Sequence, residues 1–165
     1  MPSRSDFHKV IIGRSEVLTF VETDAVNVPA KTDTGAYRSA VHAANIHEKE
    51  GVLTFELLGN HPVCGDMSRK LSTKNYSEVF VANSFGHREK RYEVKLKVKL
   101  GPKVFTDRFT LADRSKKIYP ILLGRKLLNR RFLVDSSKSS LDRREIKKKY
   151  GIEFPKDEEE GREVT

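Results

Sequence analysis

Cysteine is almost absent from this chain. Cys64 is the only one among 165 residues, so neither an internal disulfide nor a multi-thiolate zinc site can form, a usage that fits a reducing compartment. Long apolar runs are missing too: nothing approaches the roughly 18 consecutive residues of a membrane span, and Met1 to Lys9 lacks an apolar signal core. These absences predict a cytoplasmic protein with no membrane segment. There is no Gly-x-x-x-x-Gly-Lys-Ser/Thr loop, so any ATP would belong to a partner. There is no His-Glu-x-x-His, and His42 and His47, five apart, read as structural or surface residues. No metal and no cofactor are expected. No aromatic-rich nucleic-acid motif occurs.

What is present is charge and short strands. The net charge is +9 and the pI about 9.7, which biases encounters toward anionic partners without determining the fold. Hydrophobic residues make up 37%, low but compatible with one small β-rich domain carrying polar tails. Residues 1–7 are expected to be disordered. Val10-Ile11-Ile12 and Val17-Leu18-Thr19-Phe20, broken by Gly13-Arg14-Ser15, read as two strands or a hairpin. Further strands are predicted over 26–30, 39–44, 52–58, 79–82, 92–100 and 104–111. In 92–100 the alternation is nearly strict: Tyr92, Val94, Leu96, Val98 and Leu100 face the core, while Glu93, Lys95, Lys97 and Lys99 face solvent. The strands 79–82 and 92–100 flank the polar tip Asn83 to His87 as a long hairpin. Cys64, between Pro62 and Gly65, is expected to be a half-buried turn residue. Six or more short strands with close turn signals argue for an all-β barrel. Helix is confined to the end, over 125–131 and 141–150, with Asp142 at the start of the second and Gly151 as its stop. The barrel is placed over 8–137, followed by a charged extension, 138–165, helical at first and then disordered.

Two stretches carry chemistry. Asp33-Thr34-Gly35-Ala36 presents a carboxylate at a strand end, followed by a hydroxyl and a glycine. Leu122-Leu123-Gly124-Arg125, continued by Lys126-Leu127-Leu128, is an apolar strand ending in glycine and running into a helix. In this order the two stretches resemble retropepsin-like aspartic proteases. A longer series is similar to a bacterial and archaeal family that has been labelled ATP-dependent zinc proteases and is found beside ribosomal-protein glutamate ligases. That series runs from Lys31 through Asp33, Ser39 and His42, Asn83-Ser84-x-Gly86 and Leu111-Ala112-Asp113-Arg114. It closes with Tyr119 to Arg125 and Phe132-Leu133-Val134-Asp135.

The resemblance implies a small closed β-barrel of the retropepsin type with a short C-terminal helix. It implies Asp33, Thr34 and Gly35 as catalytic residues, in a homodimer because the chain holds one Asp-Thr-Gly. Leu122, Leu123, Gly124 and Arg125 would support the loop from beneath, and Ala36, Ser84, Gly86, Arg88 and Arg91 would line the substrate cleft under a flap. Arg125 departs from the viral pattern: its usual acidic partner is replaced by Tyr37 and Arg38, which leaves Asp113 or Asp135 as expected partners. Residues 45–78 have no counterpart in the short viral enzymes. The gene context implies a protease that trims or removes a ribosomal protein's glutamate tail, with Lys95, Lys97, Lys99, Arg88 and Arg91 attracting it. The alternative is a non-catalytic barrel binding acidic peptides or RNA, which would survive Asp33→Asn and weaken with salt.

Overall fold

The structure is a computed structural model and describes residues 8–82 and 85–153. Eleven strands and two helices follow one another: β1 (Val10–Ile12), β2 (Ser15–Phe20), β3 (Val28–Thr32), β4 (Ser39–Lys49), β5 (Val52–Leu57), β6 (Arg69–Thr73), β7 (Tyr76–Ala82), β8 (Arg88–Leu100), β9 (Lys103–Ala112), β10 (Ile121–Leu123), α1 (Arg125–Leu128), β11 (Phe132–Val134) and α2 (Arg143–Tyr150). Six strands pair in the order β10-β3-β2-β8-β9-β4, and β10 pairs again with β4, so the sheet closes on itself. The fold is an all-β retropepsin-like barrel. β5 and β6 extend the sheet beyond β4, and β7 hangs from β8 as the outer arm of a hairpin.

Alternation along β8 explains why it forms the wall between core and solvent. Val94, Leu96, Val98 and Leu100 are buried while Lys95, Lys97 and Lys99 are exposed, the period-two pattern of a strand wetted on one side. Glu93 breaks the expectation: it is buried, for a reason that belongs to the site below. Inside the barrel Leu18, Phe20, Val41, Phe109, Ile121 and Leu123 lock together, Phe20 meeting Phe109 edge-on at 6.2 Å between centroids.

Several local expectations are corrected. Of the two readings of 10–20, separate strands hold and the hairpin does not: β1 pairs in parallel with β11, Ile11 opposite Leu133. β4 runs on to Lys49, and β6 lies in a polar stretch with no strand signal, held by the ladder to β5. α1 is a single turn, because Asn129 (φ −56, ψ 129) and Arg130 (φ 66) reverse the chain, Arg131 N–H donating to Leu128 O at 3.1 Å before β11 begins. Cys64 is fully buried, and burial pushes its thiol up to about 12.

The residues after β11 pack onto the barrel. Arg14 N–H donates to Lys138 O at 2.9 Å, Ser15 and Ser139 share a hydroxyl contact, and Ile146 of α2 is buried with Val63, Ile118 and Tyr119. α2 starts with a capping box between Asp142 and Glu145 and stops at Gly151 in the left-handed conformation. No helix among the described residues is long and apolar enough to cross a membrane.

Candidate active site

β10 is the keystone. It lies between β3, to which it runs parallel with Leu123 opposite Thr32, and β4, to which it runs antiparallel with Ile121 opposite Val41. Asp33 follows β3 directly, and its N–H donates to Leu123 O at 2.9 Å, one last rung of the ladder. The chain then turns, Ala36 N–H donating to Asp33 O at 3.2 Å. Gly35 N–H donates to Asp33 Oδ1 at 2.9 Å, and a Cβ at Gly35 would stand 3.2 Å from that same oxygen. Glycine here lets backbone approach the carboxylate. Asp33 is half-buried, and Thr34 and Gly35 are exposed.

The loop is held from behind by the start of α1. Arg125 Nη1 donates to Thr34 O at 3.1 Å and Gly35 O at 2.9 Å, Arg125 N–H donates to Ala36 O at 2.8 Å, and Lys126 N–H donates to Tyr37 O at 3.0 Å. Four consecutive carbonyls are thereby turned toward α1. The same bonds satisfy helix N–H groups that lack a side-chain cap. Arg125 therefore pairs with neither Asp113 nor Asp135. Those carboxylates accept from Ser115 and Ser137 in local turns, which hold both below the usual carboxylate range.

Gly124 and Ser39 fasten the loop to β4. Ser39 Oγ accepts from Gly124 N–H at 3.0 Å, and a Cβ on Gly124 would lie 2.5 Å from the carbonyl carbon and oxygen of Arg38. Leu123 is buried and Leu122 half-buried under the turn. Arg38 in turn reaches Glu93 at 2.7 Å, which accounts for a buried carboxylate on an otherwise lysine-lined strand face. Sequence reasoning placed Glu93 in solvent; its being the one acid in that row was the available signal.

The hairpin of β7 and β8 carries the other predicted cleft residues. Ser84 lies outside the described residues. Gly86 sits in the turn with φ 77 and open space around it. Arg88 and Arg91, three apart on one strand, point to opposite faces: Arg88 stacks over Phe80 at 5.1 Å, whereas Arg91 pairs with Glu89 at 3.2 Å on the face that continues to Glu93. The fold therefore does not bring these two arginines together. Ala36 is half-buried beside Tyr37, which is 55% exposed. An open groove of about 630 Å³ runs from Thr34 and Tyr37 along α1 to Leu133.

His42 and His61 are structural. His42 Nδ1 accepts from Arg114 N–H at 2.9 Å and its Nε2 meets Gly59 O at 2.7 Å. His61 Nδ1 accepts from Val63 N–H at 3.1 Å, and its Nε2 meets the Arg114 and Lys117 carbonyls at 2.9 and 3.0 Å. Burial lowers the pKa of both, His61 to about 4. With every ring nitrogen committed to backbone, the pair does not fit a zinc ligand set, and His47 is exposed elsewhere on β4.

Comparison with known proteins gives the family and the fold. Residues 11–145 match the family model of the retropepsin-like aspartic endopeptidase RimB. A Shewanella pealeana protein named "Probable alpha-L-glutamate ligase" is 33% identical over 161 residues, covering 90% of this chain and 34% of that protein. A Desulfotalea psychrophila protein of the same name is 30% identical over 136 residues, covering 79% and 29%. The chain thus spans about a third of the length of the curated relatives it matches. A crystal structure of a Legionella pneumophila protein of unknown function shares 29% identity and superposes with a TM-score of 0.63 over 80% of this chain and 97% of that one. With its carboxylate turn, its inserted β10 and a family match across most of its length, the chain belongs to the RimB-like family of retropepsin-like aspartic endopeptidases.

Proposed function

We propose that this chain is an aspartic peptidase that works as a homodimer and trims or removes acidic, glutamate-rich tails. The observation that carries the reading is Asp33 itself: a half-buried carboxylate fixed by Gly35 N–H on a loop clamped through four carbonyls, at an exposed surface. One carboxylate cannot be both base and acid. Two Asp33 side chains meeting on a two-fold axis would share one proton, since like charges at such short range cannot both ionise. The ionised one takes a proton from water, whose oxygen bonds to the scissile carbonyl carbon while the protonated one donates to the carbonyl oxygen. Collapse of that intermediate breaks the C–N bond: the Asp33 that took water's proton passes it to the departing nitrogen, and the other Asp33 takes back a hydroxyl proton as the new carboxyl group forms.

The surface beside the loop supports a second copy. Thr34 is exposed where it could bond across the axis, and Ile11 and Leu133, 56% and 52% exposed, stand side by side on the β1-β11 ribbon. No other strand among the described residues pairs with either edge of that ribbon. Such edges are templates for intermolecular pairing. The relatives' glutamate ligase names support a tail of ligated glutamates as substrate, and the net charge of +9 favours acidic chains.

The test is cleavage of a glutamate-tailed peptide by wild type and Asp33→Asn, with the dimer fraction followed over protein concentration. Cutting in proportion to dimer, and an Asp33→Asn protein that dimerises without cutting, is the expected result. Salt-sensitive binding by both proteins with no cleavage by either would instead favour a non-catalytic barrel for acidic peptides or RNA.

A further inference from the structure

Tyr37 sits in an arrangement that the catalytic reading leaves unexplained. Its ring, 55% exposed, has three cationic groups around it: the Arg38 guanidinium at 5.5 Å, the Lys126 ammonium at 5.8 Å and the Arg125 guanidinium at 5.9 Å. Arg38 is neutralised by Glu93 at 2.7 Å. The other two are not. Arg125 spends its side-chain hydrogen bonds on carbonyls, and no carboxylate among the described residues pairs with Arg125 or Lys126. Two cations without a carboxylate partner thus stand 5.8 and 5.9 Å from the same ring centroid, and an anion that reaches both offsets their charge while gaining charge-assisted hydrogen bonds. The phenol hydroxyl adds a donor at the same point.

Position says where along a bound peptide that anion would lie. Ala36 N–H bonds back to Asp33 O, so this is a turn whose ends stand within about 7 Å, and Tyr37 follows one Cα step later, about 11 Å from Asp33 at most. An extended peptide advances about 3.3 Å per residue, so Tyr37 lies within reach of a side chain up to about three residues from a bond held at Asp33. We infer that Tyr37, Arg125 and Lys126 form a carboxylate-binding subsite that selects an acidic side chain a few residues from the cleaved bond. The proposal rests on Asp33 being where peptide is held. It assigns acid selection to this cluster rather than to the lysine row on β8.

Binding is measured by fluorescence anisotropy of labelled hexaglutamate and hexaglutamine on the full-length Asp33→Asn protein, which leaves the peptide intact. Lys126→Glu should weaken hexaglutamate about tenfold, whereas Lys97→Glu, the same charge change on the outer face of β8, should weaken it less than about twofold. Lys126→Gln should fall between, and hexaglutamine should respond to neither. Thermal unfolding checks that each variant is folded; Lys126 is exposed. Equal weakening by the two charge reversals would mean diffuse attraction and overturn the subsite, as would a Lys126→Glu effect on a single-stranded RNA of equal charge but not on hexaglutamate. Loss of the subsite with wild-type cleavage intact overturns this inference alone; intact Lys126-dependent binding with no cleavage by wild type overturns the peptidase alone.

Discussion

Gly35 and Gly124 lie on the two sides of the Asp33 turn, and a methyl group at each meets a different obstacle. At Gly35 the obstacle is a carboxylate oxygen at 3.2 Å, the end of a side chain that can swing. At Gly124 it is the backbone of Arg38 at 2.5 Å, locked in place by Ser39 and the pairing of β4. Gly35→Ala should therefore keep its melting temperature within about 2 °C while cleavage falls at least tenfold, since the carboxylate moves off its N–H. Gly124→Ala should lose about 1–3 kcal/mol of stability, because β10 or the turn must shift bodily. Thermal unfolding beside peptide turnover separates the two. Both glycines were legible in the motifs. Arg125's partners were not, since a backbone carbonyl leaves no mark in sequence, whereas acidic side chains such as Asp113 and Asp135 do.

At the scale of elements, the β1-β11 ribbon is where the barrel is unfinished. Its apolar pair, Ile11 and Leu133, faces outward, while Phe132 and Ile12 on the other side are buried. Leu133→Asp should leave the monomer folded, because the changed side chain touches little of the core. It should raise the dimer dissociation constant at least tenfold and lower turnover in parallel at micromolar protein. Analytical ultracentrifugation over a dilution series checks this, and an undiminished dimer would move the interface elsewhere. The alternation of β8 from Val94 to Leu100 and the cap and stop of α2 were readable because both are local. β1's partner lies more than a hundred residues away, and a run of three apolar residues says nothing about which edge it joins.

For the whole molecule, the His42–His61 pair ties the loop after β5 to the segment before β10 through backbone bonds that need neutral rings. The rings face each other at 5.1 Å, with Arg114 adjoining both and the exposed Asp113 carboxylate 3.9 Å from His42. Burial, the largest cause, lowers His61 from 6.5 to about 4, so below pH 6.5 the unfolded chain binds a proton that the folded one refuses. Stability should be highest above pH 6.5 and fall as the pH drops, by roughly 3 kcal/mol on reaching pH 4 from His61 alone. Melting temperatures between pH 4 and 8 measure it; a flat profile would mean that the rings charge without cost. An acid optimum for cleavage would then compete with the fold's own tolerance of acid.

The sequence by itself determined the strand-rich class, the wall formed by β8, the carboxylate turn and the glycine-ended strand that answers it, because alternation, turn chemistry and motif order are short-range properties. Tertiary structure alone decided that β10 threads between β3 and β4, that four carbonyls of the Asp33 turn point at α1, and that Glu93 is buried against Arg38. It also decided that Arg88 and Arg91 part company and that Tyr37 gathers uncompensated cations. Each of those depends on which distant segments become neighbours when the barrel closes, and closure is a property of the whole sheet that no single stretch encodes.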